Sequence, residues 1–253
     1  MARWKSALLS VGAVLLVWQG VAWLRLWPDY LFPPPVDVGL TLWRISISGE
    51  LGVALLHTVK RIGLGFLVAA VGGGLLGLAM ARSRRLSELV GPAVQGLQAM
   101  PSICWYPLAI LWFGLNEWAL LFVTVAGALF AVASATESAI RNIPPAYLRA
   151  GATMGAKGLR LYTRVVIPAA MPSLLTGLRL GWSFAWRSLM AAELLFMNMG
   201  LGFLLGQGRE LVDAARVVAV ILVILLVGIL VDRLCFARAE SALRKKWGYE
   251  AAA

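Results

Sequence analysis

Three ionised side chains interrupt an otherwise apolar segment: Arg179, Arg187 and Glu193 stand within Pro172–Met199. If that segment crosses a bilayer outward from Pro172, Arg187 falls near the centre and Arg179 about one and a half turns inside the inner face, with Glu193 towards the outer face. A central arginine costs at least about 2.5 kcal/mol on insertion scales, so such groups face a cavity, a partner or water. Arg179 and Glu193 are fourteen residues apart, which at 100° per residue sets them within about 40° of one face. The chemistry open to that stripe is passage of a charged solute; the plainer alternative is a structural ion pair or a set of carbonyl contacts. Glu193 is six residues from Arg187, about 120° around the helix, so the two are not expected to pair directly.

Two other stretches carry chemical information. "GPAVQGLQAMPSICWYPLAILWFGL" holds Pro101 and Pro107. Backbone breaks at membrane depth persist only where the freed groups meet protein or a water-filled cavity, so this segment either borders a pathway or is a kinked packing helix. "YLRAGATMGAKGLRLYTRVVIPAAMP", Tyr147–Pro172, carries Arg149, Lys157, Arg160 and Arg164 with no acid, three glycines and closing prolines.

Catalytic readings are largely excluded. His57 is the only histidine, so a multi-histidine metal site is impossible, and Cys104 and Cys235 sit in separate apolar segments as packed residues. "GATMGAKG" has neither the spacing nor the hydroxyl residue of a phosphate loop, so the chain should not hydrolyse ATP. An intramembrane serine hydrolase would need a base beside a serine, and His57 is expected on the outer side. The expectation is no enzyme, no metal and no cofactor.

The elements that position these residues follow from composition. The 253 residues are 60% hydrophobic and 14% charged, with a mean hydropathy of +0.82, whereas an ordinary soluble domain is about one quarter charged. Ser6–Leu24, Ile62–Ala81, Leu89–Asn116 and Trp118–Thr136 are charge-free runs of 19, 20, 28 and 19 residues, and about 20 apolar residues cross the hydrocarbon core. Pro172–Met199 gives a fifth span. Val217–Val231, 15 residues long, gives a sixth whose flanking Arg216 and Arg233 snorkel to the interfaces. The expected fold is therefore an all-α membrane protein with six transmembrane helices, a single domain over residues 1–253. The first run exceeds a signal-peptide core and lacks a small-residue cleavage site, so it reads as an uncleaved helix.

Charge orients the spans. With the N-terminus inside, 15 basic residues against five acids fall on the inner side, a balance of +10, while six of each cancel outside. Both termini are expected in the cytoplasm, and the basic stretch with them. This asymmetry accounts for the net charge of +11 without nucleic acid. "LWPDYLFPPPVD" reads as an extended outer loop anchored by Trp27 and Tyr30, and Val38–Lys60 as a helix along the outer interface.

In this setting the stretch resembles the signature of permease subunits of bacterial ABC importers of the type I fold: Glu-Ala-Ala, three residues, Gly, nine residues, Ile-x-Leu-Pro. Arg149, Ala150 and Gly151 stand at Glu-Ala-Ala, Gly155 matches the glycine, and Val165, Val166, Ile167 and Pro168 match the close. "MPSICWYPLAILWFGL", "GLRLGWSFAWRSLMAAELLF" and "MGLGFLLGQGRELVD" are similar to the nitrate, sulfonate, taurine and bicarbonate subgroup, and the likeness covers about four fifths of the chain. The resemblance implies a bacterial inner-membrane location and six spans per subunit. It also implies a second permease subunit, read here as a homodimer, with two ATPase subunits that bind the ATP and a periplasmic substrate-binding protein. A short coupling helix in the loop 137–172 would dock on the ATPase. "PPAYLRAGATMGA" can supply that helix: Pro144 and Pro145 suit its start, and Leu148, Ala152 and Met154 offer apolar contact. Gly155, beside Ala156, permits a left-handed turn or a close approach. Arg160 and Arg164 suit acids on a partner or lipid phosphates. The two arginines of the fifth span favour an anion such as nitrate, bicarbonate, taurine or another sulfonate. A permease for a small organic molecule such as a thiamine-precursor pyrimidine, and a stand-alone channel or scaffold, remain the alternatives.

Overall fold

Every element that forms among the described residues is helical, as a chain in lipid requires when its main-chain polar groups must be satisfied within each segment. The computed structural model describes residues 2–196 and 198–246. Side chains at residues 2–8, 11, 244 and 246 also fall outside the description. The basic ends read from Arg3, Lys5, Arg244 and Lys246, with Glu250, therefore lie outside the described side chains. The helices are α1 (Ala2–Trp23), α2 (Pro35–Ile47), α3 (Glu50–Arg82), α4 (Arg84–Ala99), α5 (Tyr106–Phe113), α6 (Glu117–Arg141), α7 (Pro145–Thr153), α8 (Leu159–Leu161), α9 (Ile167–Leu195), α10 (Leu201–Glu210), α11 (Ala214–Val231) and α12 (Ala237–Lys246). A π-turn at Tyr162–Val166 fuses α8 to α9, and another at Asp232–Phe236 fuses α11 to α12. Four helical runs are long and apolar enough to cross a membrane: Glu50–Arg82, Glu117–Arg141, Leu159–Leu195 and Ala214–Leu243. Gly12–Trp23 and Ser102–Phe113 are apolar but shorter.

Two stretches differ from the sequence-based expectation. The charge-free run Leu89–Asn116 is not one helix. α4 stops at Ala99, Met100 and Pro101 are extended (ψ 129° at each), and a 3-10 turn at Ser102–Trp105 leads into α5. Pro101 forces the residue before it out of the helical region, whereas Pro107 sits in the first turn of α5, where a missing N–H does no harm. Val38–Lys60 is not a single interfacial helix either. Gly49, at φ +82°, separates α2 from α3, and α3 then runs unbroken for 33 residues, about 50 Å. Glu50–Arg61 is thus the first third of a long membrane helix.

The chain divides into two compact units, one formed up to Thr58 with Glu193–Val227, the other by Val59–Ala192 with the segment from Gly228 onward. In the first unit, the Trp18 indole donates to the Pro33 carbonyl at 3.1 Å and so ties α1 to the proline run. Arg216 bridges Glu50 at 2.8 Å and donates to Gln207 at 2.5 Å.

In the second unit the core is α6, with half of its apolar stretch buried. Gly73 and Gly77 of α3 press on one side of it: a Cβ at either would collide with the carbonyl oxygen of Leu129 or Ala133. Gly177 and Gly181 of α9 press elsewhere on α6, where added carbons would collide with Ala135 and Val132. Both pairs are four residues apart, hence on one helix face, the small-residue spacing that lets membrane helices approach closely. Ile62, Ala69, Ala128, Ala185 and Leu189 are buried beside this contact, with Phe66 edge-on to Trp182 at 5.3 Å. Arg61 is buried and forms a two-pronged pair with Glu117, at 2.6 and 2.5 Å, at the start of α6.

Candidate coupling loop and solute path

The basic stretch forms a short helix with defined ends. Pro144 is extended (ψ 131°) and Pro145 opens α7, whose first turn needs no N–H from a proline. At the other end Gly155 takes φ +83°. Its N–H donates to the Ala152 carbonyl at 3.0 Å, and the Ala156 N–H donates to the Gly151 carbonyl at 3.0 Å. That bonding pair is a Schellman close. Of the two roles open to Gly155, this structure contains the left-handed turn, since a Cβ there would meet nothing within 4 Å.

Close approach belongs to Gly151 instead. It is buried, and a Cβ would stand 2.8 Å from Val165 Cγ2 and 3.0 Å from Leu161 Cδ1. α7 is thereby seated on the start of the Leu159–Leu195 run. Arg149, Ala150 and Ala152 are exposed, Ala156, Ile167 and Pro168 are half-buried, and Met154 is 87% exposed. Pro168 cannot donate, and the π-turn just before it, with the Ile167 N–H bonded to the Tyr162 carbonyl, accommodates that gap. Behind α7 lies a cavity of about 260 Å³ bordered by Ile143, Leu148, Leu161 and Tyr162, and Arg82 stacks on the Tyr162 ring at 5.4 Å.

A second cavity, about 440 Å³, opens at the break after α4. Pro101 and Arg187, 86 residues apart in sequence, both line it, together with Gln98, Ser102, Gly127 and Phe184. The Arg187 guanidinium lies over the Phe184 ring at 4.7 Å, and its Nε donates to the Ser183 carbonyl at 3.1 Å. Arg187 is exposed and makes no ion pair among the described residues. Ser102 and Ile103 donate to no main-chain carbonyl among the described residues, the condition a broken helix meets beside a wet cavity.

The other candidates lie elsewhere. Pro107 is in the first turn of α5 and is not among the residues lining this cavity. Arg179 pairs with Asp232 at 2.5 and 2.6 Å and stands 3.7 Å from Glu240. Glu193 is fully buried in the first unit. Its carboxylate accepts from the Thr58 hydroxyl at 2.8 Å and from the Gly202 N–H at 3.1 Å, while the Leu201 N–H donates to Thr58 at 2.9 Å. Glu193 and Thr58 together cap α10. Gly200 is extended (φ 176°), yet a Cβ on it would come within 2.5 Å of the Glu193 carboxylate. Phe184 was missed in the sequence, although its place three residues before Arg187, on the same face, was a signal for it. Thr58 gave no such signal, being 135 residues from its partner. Among the described residues no cluster of three or more His, Cys, Asp or Glu could hold a metal, and both cysteines are free and exposed rather than packed as expected.

Long apolar helices with a short helix between α6 and the Leu159–Leu195 run are the arrangement the sequence led one to expect of a permease subunit. Residues 73–237 match the family described as binding-protein-dependent transport system inner membrane component, and the chain belongs to that family of ABC importer permease subunits. It is 37% identical over 206 residues, 79% of this chain and 77% of the relative, to a protein of Methanocaldococcus jannaschii assigned as an ABC transporter permease. It is 31% identical to the protein of Bacillus subtilis assigned as an aliphatic sulfonates transport permease, covering 96% of this chain and 88% of the other. With the taurine transport system permease of Escherichia coli the identity is 30%, covering 91% and 88%. Among solved structures, the inward-facing MetNI methionine ABC transporter matches with a TM-score of 0.63 at 19% identity, over 75% of this chain and 96% of that one. The fold is the all-α, multi-pass type I importer fold with at least four long membrane helices. Binding-protein-dependent transport brings with it a substrate-binding protein and an ATPase that binds the nucleotide.

Proposed function

We propose that this chain is the membrane path of an importer for a small anion, a nitrate, bicarbonate, taurine or other sulfonate, and that it works as a pair of identical permease subunits. Two ATPase subunits bind α7 from the cytoplasm, and a periplasmic binding protein delivers the solute. The observation that carries the anion reading is Arg187, a cation without an ion-pair partner among the described residues, facing a cavity at a helix break. The relatives named for sulfonates and taurine support it.

Six spans with both termini inside is the topology we favour. Gly12–Trp23 within α1, and α4 with Ser102–Phe113, supply the two crossings beyond the four long runs. In support, ion pairs Arg61–Glu117 and Arg216–Glu50 join residues assigned to the outer side, while Arg84–Glu88 and Arg141–Glu137 join inner ones. In the coupling reading for residues 137–172, the exposed face of α7, with Arg149, Ala150, Ala152 and Met154, meets the ATPase. Gly151, Gly155, Ala156, Ile167 and Pro168 fix its posture.

The test is ATP-driven uptake by the permease reconstituted with its ATPase and binding protein. Arg187→Ala should lower uptake more than it lowers membrane expression, and Arg187→Lys should keep part of the activity because charge persists while the planar fork is lost. Equal loss of uptake and expression in Arg187→Ala would refute the pathway role.

A further inference from the structure

We infer that the cavity at the Pro101 break is a resting site for one singly charged oxoanion, a site that discriminates against dianions. The inference rests on the importer reading above and deepens it. Among the described residues lining the cavity, Arg187 is the sole charged one. Its Nε is committed to the Ser183 carbonyl and its Cζ lies over the Phe184 ring, so its terminal nitrogens are the donors left for a ligand. The planar guanidinium presents the fork that matches two oxygens of a nitrate, carboxylate or sulfonate.

The remaining polar groups are neutral. Ser102 brings a hydroxyl and Gln98 an amide to the same cavity, each able to donate to a third oxygen. One cation neutralises one negative charge; a second charge on the ligand would find no further cation among the described lining residues, and each water it loses on entering is then lost without a compensating partner. The lining also has apolar members, Leu97, Ala126 and Ala191 among them. About 440 Å³ lies within the roughly 300–1,000 Å³ of small-molecule pockets, leaving room for a short organic tail. A weak site of this kind suits passage, since a solute must enter and also leave.

The experiment uses the full-length permease, with Cys104→Ser and Cys235→Ser to remove the native thiols, reconstituted with its ATPase and, for the uptake measurement, its binding protein. Ala126→Cys supplies a reporter inside the cavity, and Ala191→Cys a second one should the first not assemble. The labelling rate with a neutral maleimide is read in methanesulfonate, nitrate and sulfate at matched ionic strength. The expected result is slowing by methanesulfonate and nitrate, at least about tenfold weaker protection by sulfate, no protection in Arg187→Gln and partial protection in Arg187→Lys. Equal protection by sulfate, protection that survives Arg187→Gln, or reporters that label without protection by any anion would each overturn the site. Reporters that never label would do so too, by showing a cavity closed to water. ATP-driven uptake of methanesulfonate and nitrate in the same vesicles separates the two readings. Uptake without protection overturns the site and leaves the anion importer standing; protection without ATP-driven uptake of any of these anions overturns the anion-importer reading and leaves the site.

Discussion

Substitution of Gly155 isolates one backbone angle from every packing effect. The residue holds φ +83° at the close of α7, and a Cβ there would touch nothing within 4 Å. An L-residue in the left-handed region costs about 1–2 kcal/mol, and asparagine less than most. Gly155→Ala should therefore weaken the closed turn by a factor of about 5–30. Gly155→Val should do more, because a β-branched residue is poorly tolerated there, and Gly155→Asn should do least. If α7 is the surface the ATPase grips, the loss appears as weaker co-purification of the ATPase and lower uptake per ATP hydrolysed, with insertion of the permease unchanged. The order Gly, Asn, Ala, Val is the signature of backbone freedom. Asn as damaging as Val would mean that the partner approaches too closely for any side chain, so size rather than φ would govern. Assembly and transport unchanged in all three variants would refute the coupling role of this turn.

The remaining predictions concern sidedness and the α10 cap. Reporter fusions at Gly206, within α10, and at Ala253, which lies outside the described residues, should report opposite sides of the membrane; matching sides would end the six-span topology. Gly200→Ala should destabilise the detergent-solubilised protein by about 1–3 kcal/mol, the usual range for overpacking, read as a lower thermal midpoint. Because Gly200 is extended rather than left-handed, the harm is steric, so Glu193→Ala should make it smaller in a double-mutant cycle. Full additivity would show that the Glu193 carboxylate is not what the new methyl meets.

What the sequence displayed was local, and what it hid was pairing at a distance. Charge-free runs located α6 and most of α3 because span length is written in consecutive residues. Pro101 announced the helix break, and Pro144, Pro145 and Gly155 bracketed α7, because each acts on its own backbone. The start of α3 was misplaced: His57, Lys60 and Arg61 look like the edge of a span, yet Arg61 is buried by a Glu117 that stands 56 residues away. Glu193 was legible as an expensive charge in an apolar helix but not as a cap for α10. Arg187 and Pro101 were singled out separately, and only the fold brings them to one cavity.

The two glycine pairs that grip α6 determine which parts of the second unit can move. Each glycine meets a specific carbonyl or side chain of α6, so sliding by even one residue would set a side chain against main chain. Within the second unit these contacts oppose sliding of the Gly73–Gly77 part of α3 and the Gly177–Gly181 part of α9 along α6. Any rearrangement that opens one side of the membrane and closes the other has to be absorbed where the helical hydrogen-bond ladder changes step. The π-turns at Tyr162–Val166 and Asp232–Phe236 are such places, and the first adjoins the turn that seats α7. If α7 is the surface the ATPase grips, the turn that seats it on the Leu159–Leu195 run is where a push would first enter that helix.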